Sequence, residues 1–282
     1  MGLNSSIEWT THTFNPWWGC TAVSEGCRFC YAESLSKRYG HDVWGQGKDR
    51  RLMGDSYWQA PLTWNTAAAG AEERPRVFCA SMADVFDPGA PATERARLWE
   101  LIALTPNLDW LILTKRPELM TDGLPADWGM GYENVWLGTS VEDNRVTQRI
   151  SDLTAVPAHL HFLSLEPLIG PLKGLPLEGI EWAIVGGESG SKPRPMNLDW
   201  VRSIKKQCRD SNTAFFFKQM GTSLAREMRC SDRKGGKITE IPREFRVRQI
   251  PGRPDQVFGD DIPEYPPSTA VNLELFPKVL AI

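Results

Sequence analysis

The sequence predicts an α/β protein: a partial, open β/α barrel of about six to seven parallel strands, with a small extension at its C-terminal end. Three observations predict it. Short runs rich in Val, Ile, Leu, Phe and Trp recur along the chain. They lack polar alternation, as strands buried on both faces do. Segments of helical period separate them, and parallel strands need such crossovers.

The runs are RVFCASM (76–82), LDWLILT (108–114), NVWLGTS (134–140), HLHFLSL (159–165), EWAIVGG (181–187) and TAFFFKQ (213–219). A first strand ahead of Cys20 brings the count to seven. Among the connections, TERARLWELIAL (93–104) follows Pro91 and has Thr93 as its expected N-cap. Val146, Ile150 and Leu153 form an i, i+4, i+7 stripe, and Val201, Ile204 and Cys208 form another, capped by Asn197. Strand order decides between a TIM-like open barrel and a doubly wound sheet, and periodicity does not supply it.

The pattern changes near Gly221, so residues 1–220 are read as the barrel and 221–282 as the extension. Between Arg226 and Arg253 there are nine Lys/Arg against four Asp/Glu, and GKITEIP (236–242) reads as part of a hairpin. The tail GDDIPEYPPS (259–268) is acidic, Pro-rich and expected to be extended.

Composition narrows the function. A net charge of −3 argues against a general polyanion binder, which relies on many phosphate contacts, and leaves room for a local basic patch. No apolar run approaches the roughly 18 residues of a membrane span, and no basic-then-apolar leader opens the chain. Six cysteines in 282 residues are too few for a disulfide scaffold, and their clustering points to a metal site in a reducing, cytoplasmic compartment.

The cluster is WWGCTAVSEGCRFCYAE (17–33), with Cys20, Cys27 and Cys30. Isolated cysteines are often inert core residues, but three within eleven residues, with Gly19 and Gly26 directly ahead of Cys20 and Cys27, are not. Structural zinc asks for four ligands, with His12 or His41 as the fourth. A redox CxxC pair leaves Cys20 unused. Three thiolates suit a cubane iron–sulfur cluster with one iron left open for a ligand.

The string NPWWGCTAVSEGCRFCYAE (15–33), with LTKRP (113–117), FLSLEPL (162–168), VGGESG (185–190) and FFFKQ (215–219), resembles a phage-encoded three-cysteine family. That family is similar to radical S-adenosylmethionine (SAM) proteins and distantly to spore photoproduct lyase. The resemblance spans residues 7–220. Phe29 stands where such proteins carry an aromatic before the last cysteine, although the first gap here is six residues rather than three.

The resemblance implies a 4Fe-4S cluster on Cys20, Cys27 and Cys30, with SAM on the open iron and reduction by an external electron donor. A 5′-deoxyadenosyl radical would then abstract hydrogen from substrate. Functional groups in β/α barrels gather at the C-terminal ends of strands. Ser81 and Asp84 are therefore expected to meet the SAM ammonium, Lys115 and Arg116 its carboxylate or a phosphate, and Ser140 and Glu142 its ribose. Ser164, Glu166, Glu188, Lys218 and Gln219 complete the rim, and Gly186 and Gly187 allow close approach of adenine or substrate. Cys230 is a candidate hydrogen-atom donor or auxiliary-cluster ligand. Trp9, Trp17 and Trp18 are expected to pack the core or to stack on a base. The expected substrate is a nucleic-acid base or nucleotide, as in phage DNA hypermodification, with Arg243, Arg246 and Arg248 as its footprint. A peptide or small-molecule substrate, or a zinc- or cluster-stabilised binding module without radical chemistry, are the alternatives.

Overall fold

The computed structural model describes Ser5 and residues 7–252. In chain order the elements are β1 (His12–Thr13), β2 (Trp17–Trp18), α1 (Tyr31–Arg38), β3 (Arg51–Leu52), α2 (Asp55–Trp58), α3 (Ala60–Ala67) and β4 (Arg76–Cys79). They continue with α4 (Ala92–Ala103), β5 (Asp109–Thr114), α5 (Met120–Gly123), β6 (Val135–Ser140), α6 (Gln148–Thr154) and β7 (Leu160–Leu165). The last are β8 (Trp182–Gly186), α7 (Leu198–Asp210), β9 (Ala214–Gln219) and α8 (Thr222–Glu227).

Seven strands form one parallel sheet in the order β1-β4-β5-β6-β7-β8-β9. A doubly wound sheet reverses its order at a switch point. This one never does, so it curls in a single sense and stays open between β1 and β9. The first strand is His12–Thr13. The neighbouring tryptophans Trp17 and Trp18 instead form a separate antiparallel ribbon with β3.

Side-chain alternation sorts the two faces of the sheet. On β8, Ala183 and Val185 join the outer core under the helices, while Trp182 and Ile184 point to the concave side. Likewise Phe215 and Phe217 of β9 face out and Phe216 faces in. The concave face is therefore aromatic, with Phe78, Trp136, Phe162, Trp182 and Phe216. Trp9 crosses from the N-terminal segment to cover them, 4.6 Å from Phe78 and 6.2 Å from Trp182 between ring centroids. Gly138 makes room for this filling, since a Cβ there would lie 2.4 Å from the Phe162 ring.

Helix α7 begins as expected: Asn197 accepts from the Asp199 amide at 2.7 Å, and Val201, Ile204 and Cys208 are buried. Two helix starts differ. Helix α4 begins at Ala92 behind Pro91, with no side-chain cap, so Thr93 lies inside the first turn. Val146 belongs to a short 3-10 turn ahead of α6, capped by Asp143.

In place of the expected hairpin, residues 238–240 and 243–245 form 3-10 turns. Pro242 has no amide for a ladder. Phe245 packs on Phe217 at 5.5 Å, drawing the segment onto the outer core. The chain then pairs with the edge of β9, Phe217 N donating to Val247 O and Gln249 N to Phe215 O. The acidic tail at 259–268 lies outside the described residues. Among those described, no helix is long and apolar enough to cross a membrane.

Candidate functional site

A cavity of about 600 Å³ opens at the C-terminal ends of the strands. Cys20, Cys27, Phe29 and Cys30 line it from the loop between β2 and α1. Ser81, Asp84, Lys115, Arg116, Ser140, Ser164, Glu166, Glu188, Lys218 and Gln219 line it from the strand ends. Trp9, Phe78 and Leu113 form an apolar floor.

The cysteine loop is held from behind. Gly19 has φ +117°, and a Cβ there would lie 2.3 Å from Val43 O, so only glycine lets the chain turn into Cys20. The Thr21 amide donates to Asp87 Oδ2 at 2.6 Å, and the Gly89 amide to Asp87 Oδ1 at 2.7 Å. Burial alone would raise the Asp87 carboxyl, but these amides and the cations Arg116 and Arg50 hold it below the usual carboxylate range. Arg116 donates to Asp84 Oδ2 at 3.0 Å, to Thr21 O, and towards Cys20 Sγ at 3.8 Å.

Cys27 closes a 3-10 turn whose Gly26 rests on Glu142, where a Cβ would meet Oε1 at 2.3 Å. Cys30 is the N-cap of α1, its carbonyl accepting from the Ser34 amide at 3.1 Å. Burial pushes the Cys30 thiol up, opposed by the amides of Glu33 and Ala32. Burial and the carboxylates of Asp84 and Asp87 push the Cys20 thiol up, and Arg116 opposes them. Thiols in such surroundings become thiolates when a metal takes the proton's place.

The donor set is three free cysteines around one cavity. His12 stacks on Trp64 at 4.3 Å, and His41 lies edge-on to Trp18 at 5.7 Å; neither lines the cavity. Among the described residues no three His, Cys, Asp or Glu converge on a single-ion point. The cavity is lined by three cysteines and, among the described residues, by no histidine, so a tetrahedral zinc completed by His12 or His41 has no support in this geometry.

The structure divides the expected rim into cavity walls and framework. Asp84 lines the cavity with its acceptor positions filled: Oδ1 by Phe86 N and Thr114 Oγ1, Oδ2 by Lys115 N and Arg116 Nη1. A carboxylate offers about four such positions, so Asp84 has none left for a SAM ammonium. Glu142 does not line the cavity and is 1% exposed. Lys115 at 2.7 Å, Arg149 at 3.1 Å and Ser24 occupy it. It stands as a post behind Gly26, outside the cavity lining where the expected ribose would meet it.

Gly186 and Gly187 give close approach to this chain itself. A Cβ on Gly187 would lie 2.2 Å from Met220 O, and one on Gly186 3.2 Å from Glu166 Cδ. Ser81 exchanges hydrogen bonds with the buried Asn15 side chain, and Tyr31 Oη donates to Ser81 O at 2.7 Å. Glu166 faces the cavity and is held by Lys218 at 2.7 Å and Gln219 at 3.0 Å. Glu188 binds Arg194, whose guanidinium reaches Glu25 O and lies 5.3 Å from the centre of the Phe29 ring. Arg28 lies at the same distance from that ring, so Phe29 is held by two cations.

Cys230 lies off the cavity, beside Ala225 at the end of α8, where its amide donates to Ala225 O at 2.9 Å. Trp17 and Trp18 are buried in the ribbon, and of the three tryptophans near the loop only Trp9 lines the cavity. Of the expected footprint, Arg246 holds Ile241 O and Thr239 O, Arg248 pairs with Glu8 at 2.6 Å, and Arg243 is also engaged. Sequence reasoning missed Asn15, Asp87, Arg149 and Arg194; Asn15 alone, inside the NPWW string beside the cysteines, carried a usable signal.

No curated protein matches the chain. The solved structures similar to it are forms of spore photoproduct lyase. A mutant with bound AdoMet and dinucleoside spore photoproduct is 12% identical, covering 73% of this chain and 63% of that one, with TM-score 0.46. A form complexed with dinucleoside spore photoproduct has the same identity, coverage and TM-score. Another mutant is 11% identical over 80% of this chain and 62% of that one, with TM-score 0.47. This chain thus spans under two thirds of the length of those proteins. The family model described as Protein of unknown function (DUF5131) matches residues 4–244, and the chain belongs to that family.

Proposed function

We propose that this protein is a radical SAM enzyme acting on a nucleic-acid base or nucleotide. The observation that carries the reading is the three-cysteine loop. Cys20, Cys27 and Cys30 open onto one cavity, at the end of the sheet where β/α barrels hold their reactive groups. In this reading they hold a 4Fe-4S cluster that, when bound, supplies reductive cleavage of SAM and hydrogen abstraction from substrate, using an external one-electron donor.

The chain's own residues bind and orient. Glu166 keeps acceptor capacity towards the cavity and suits an ammonium or a sugar hydroxyl. Ser81, Ser140 and Ser164 offer hydroxyls along the wall. Trp9, Phe78 and Leu113 give a planar ring an apolar seat. Lys115, Arg116, Lys218 and Lys234 are the cations on the wall that a carboxylate or phosphate would meet, the first three each already paired with an acid. A base within a duplex must be flipped out to reach such a site. Hypermodification of phage DNA is the specific form of this reading, in a reducing cytoplasm.

The test uses anaerobically reconstituted protein, reduced with dithionite and given SAM. About four irons per chain and release of 5′-deoxyadenosine support the reading. One zinc per chain with intact SAM overturns it. Cys27→Ala should lose iron and SAM cleavage together while remaining folded by circular dichroism.

A further inference from the structure

The chain beyond β9 leaves the cavity rim and returns to it. Met220 N donates to Gly235 O at 3.0 Å and Gly221 N to Lys234 O at 2.9 Å, closing the base of an excursion over residues 221–235. That base sits on the site. Gly221 packs against Gly187, Thr222 N donates to Glu188 O at 2.9 Å, and Lys234 lines the cavity.

The excursion presents Arg226, Arg229, Arg233 and Lys234, all exposed. Among the described residues none of these four side chains has an ion pair or hydrogen bond, unlike the arginines at 243, 246 and 248. One of its two acids, Asp232, is turned inward onto the amides of Lys234 and Gly236. The other, Glu227, is exposed among the cations.

Arg229 carries a further sign. The end of α8 closes with Cys230 N on Ala225 O and Arg229 N on Arg226 O, and Arg229 has φ +57°. That position of a helix end favours glycine. An arginine there keeps a cation on the excursion against the backbone preference.

We infer that this excursion is a backbone clamp: it grips the sugar–phosphate chain of a polynucleotide whose target base enters the cavity. The inference rests on the nucleic-acid reading above and sharpens it to a polymer. Helix α8 starts at the rim and its six residues extend about 9 Å. Arg226 and Arg229 therefore stay within about a helix length of the rim, close enough to meet phosphates flanking a base seated in the cavity. The overall charge of −3 is compatible with this, because the clamp is local.

The experiment is fluorescence anisotropy of a labelled oligonucleotide, single-stranded and duplex, titrated against salt. The full chain is compared with the triple variant Arg226→Gln, Arg229→Gln, Arg233→Gln. A control replaces Lys206 and Arg209 with Gln on α7, where both pair with Asp210. Each lost phosphate contact lowers the salt slope by roughly 0.7 on a single strand, so the triple variant should lose about 2 and bind at least about tenfold more weakly. The control should match wild type. Arg229→Gly should weaken binding with a Tm no lower than wild type, which a merely structural role does not predict.

An unchanged slope and Kd in the triple variant would overturn the clamp. So would equal displacement by a mononucleotide at matched phosphate concentration, or no strand binding by wild type. SAM cleavage without strand binding sinks the clamp and leaves the enzyme reading standing. Clamp-dependent strand binding without SAM cleavage does the reverse.

Discussion

Two neighbouring strand ends are built from the same parts and do different work. After β6, Glu142 holds Lys115 at 2.7 Å and rests against Gly26. After β7, Glu166 holds Lys218 at 2.7 Å and rests against Gly186. The difference is a second cation. Arg149, from α6, takes the other oxygen of Glu142 at 3.1 Å and leaves the carboxylate sealed. Among the described residues Glu166 has only an amide from Gln219 beside its lysine, and its side chain stays 19% exposed on the cavity wall. A doubly neutralised carboxylate is framework; a singly neutralised one with an open flank can receive a ligand.

The comparison breaks most visibly at Glu142. Glu142→Ala strands Lys115 and Arg149, so a loss of about 3–5 kcal/mol is expected in urea unfolding; a loss below about 1 kcal/mol would remove Glu142 from the framework. Gly26→Ala drives a Cβ into Glu142 and should cost about 1–3 kcal/mol, with iron retention falling as Cys27 shifts.

Asp87 belongs with Glu142, and pH tests it. Its folded pKa is depressed, so its contribution is present above the unfolded value of about 3.9 and lost as pH falls through the lower folded value. Asp87→Asn should cost about 2 kcal/mol near neutrality, and the gap to wild type should close in acid. A gap unchanged well below the unfolded value would contradict the pairing.

The smallest stability effects belong to the Glu166 side. Glu166→Gln should change stability by under about 1 kcal/mol while weakening SAM binding about tenfold, measured by calorimetry on reconstituted protein. Gly186→Ala meets its neighbours only at 3.2 Å or more and should also stay within about 1 kcal/mol. If Glu166→Gln unfolds the protein as Glu142→Ala does, the two strand ends are not different in kind.

The strands were legible because apolar runs such as AIVG and FFFK leave no other reading, and α7 because Asn197 and its stripe agree. That three cysteines share one loop was legible from spacing; that they face one cavity needed the fold. The fate of each strand-end side chain was not. Asp84 is saturated by Thr114, Lys115 and Arg116, some thirty residues along the chain. Glu142 and Glu188 are claimed by Arg149 and Arg194, which in sequence look like any surface arginine. The hairpin reading failed because Phe245 and Val247 found a better surface on the outer core than on each other's strand.

The aromatic filling of the concave face has a kinetic consequence. Trp182, Phe162 and Phe216 are at most 2% exposed, and Trp9 lies across them, so the floor beneath the cavity is sealed. Among the described residues, the cavity opens between the strand ends. A small cofactor and a large ligand that share one doorway cannot load in random order: the small one goes first and leaves last. Initial-rate patterns for such a site should be sequential and ordered, with the large ligand acting as a stopper that traps the small one beneath it.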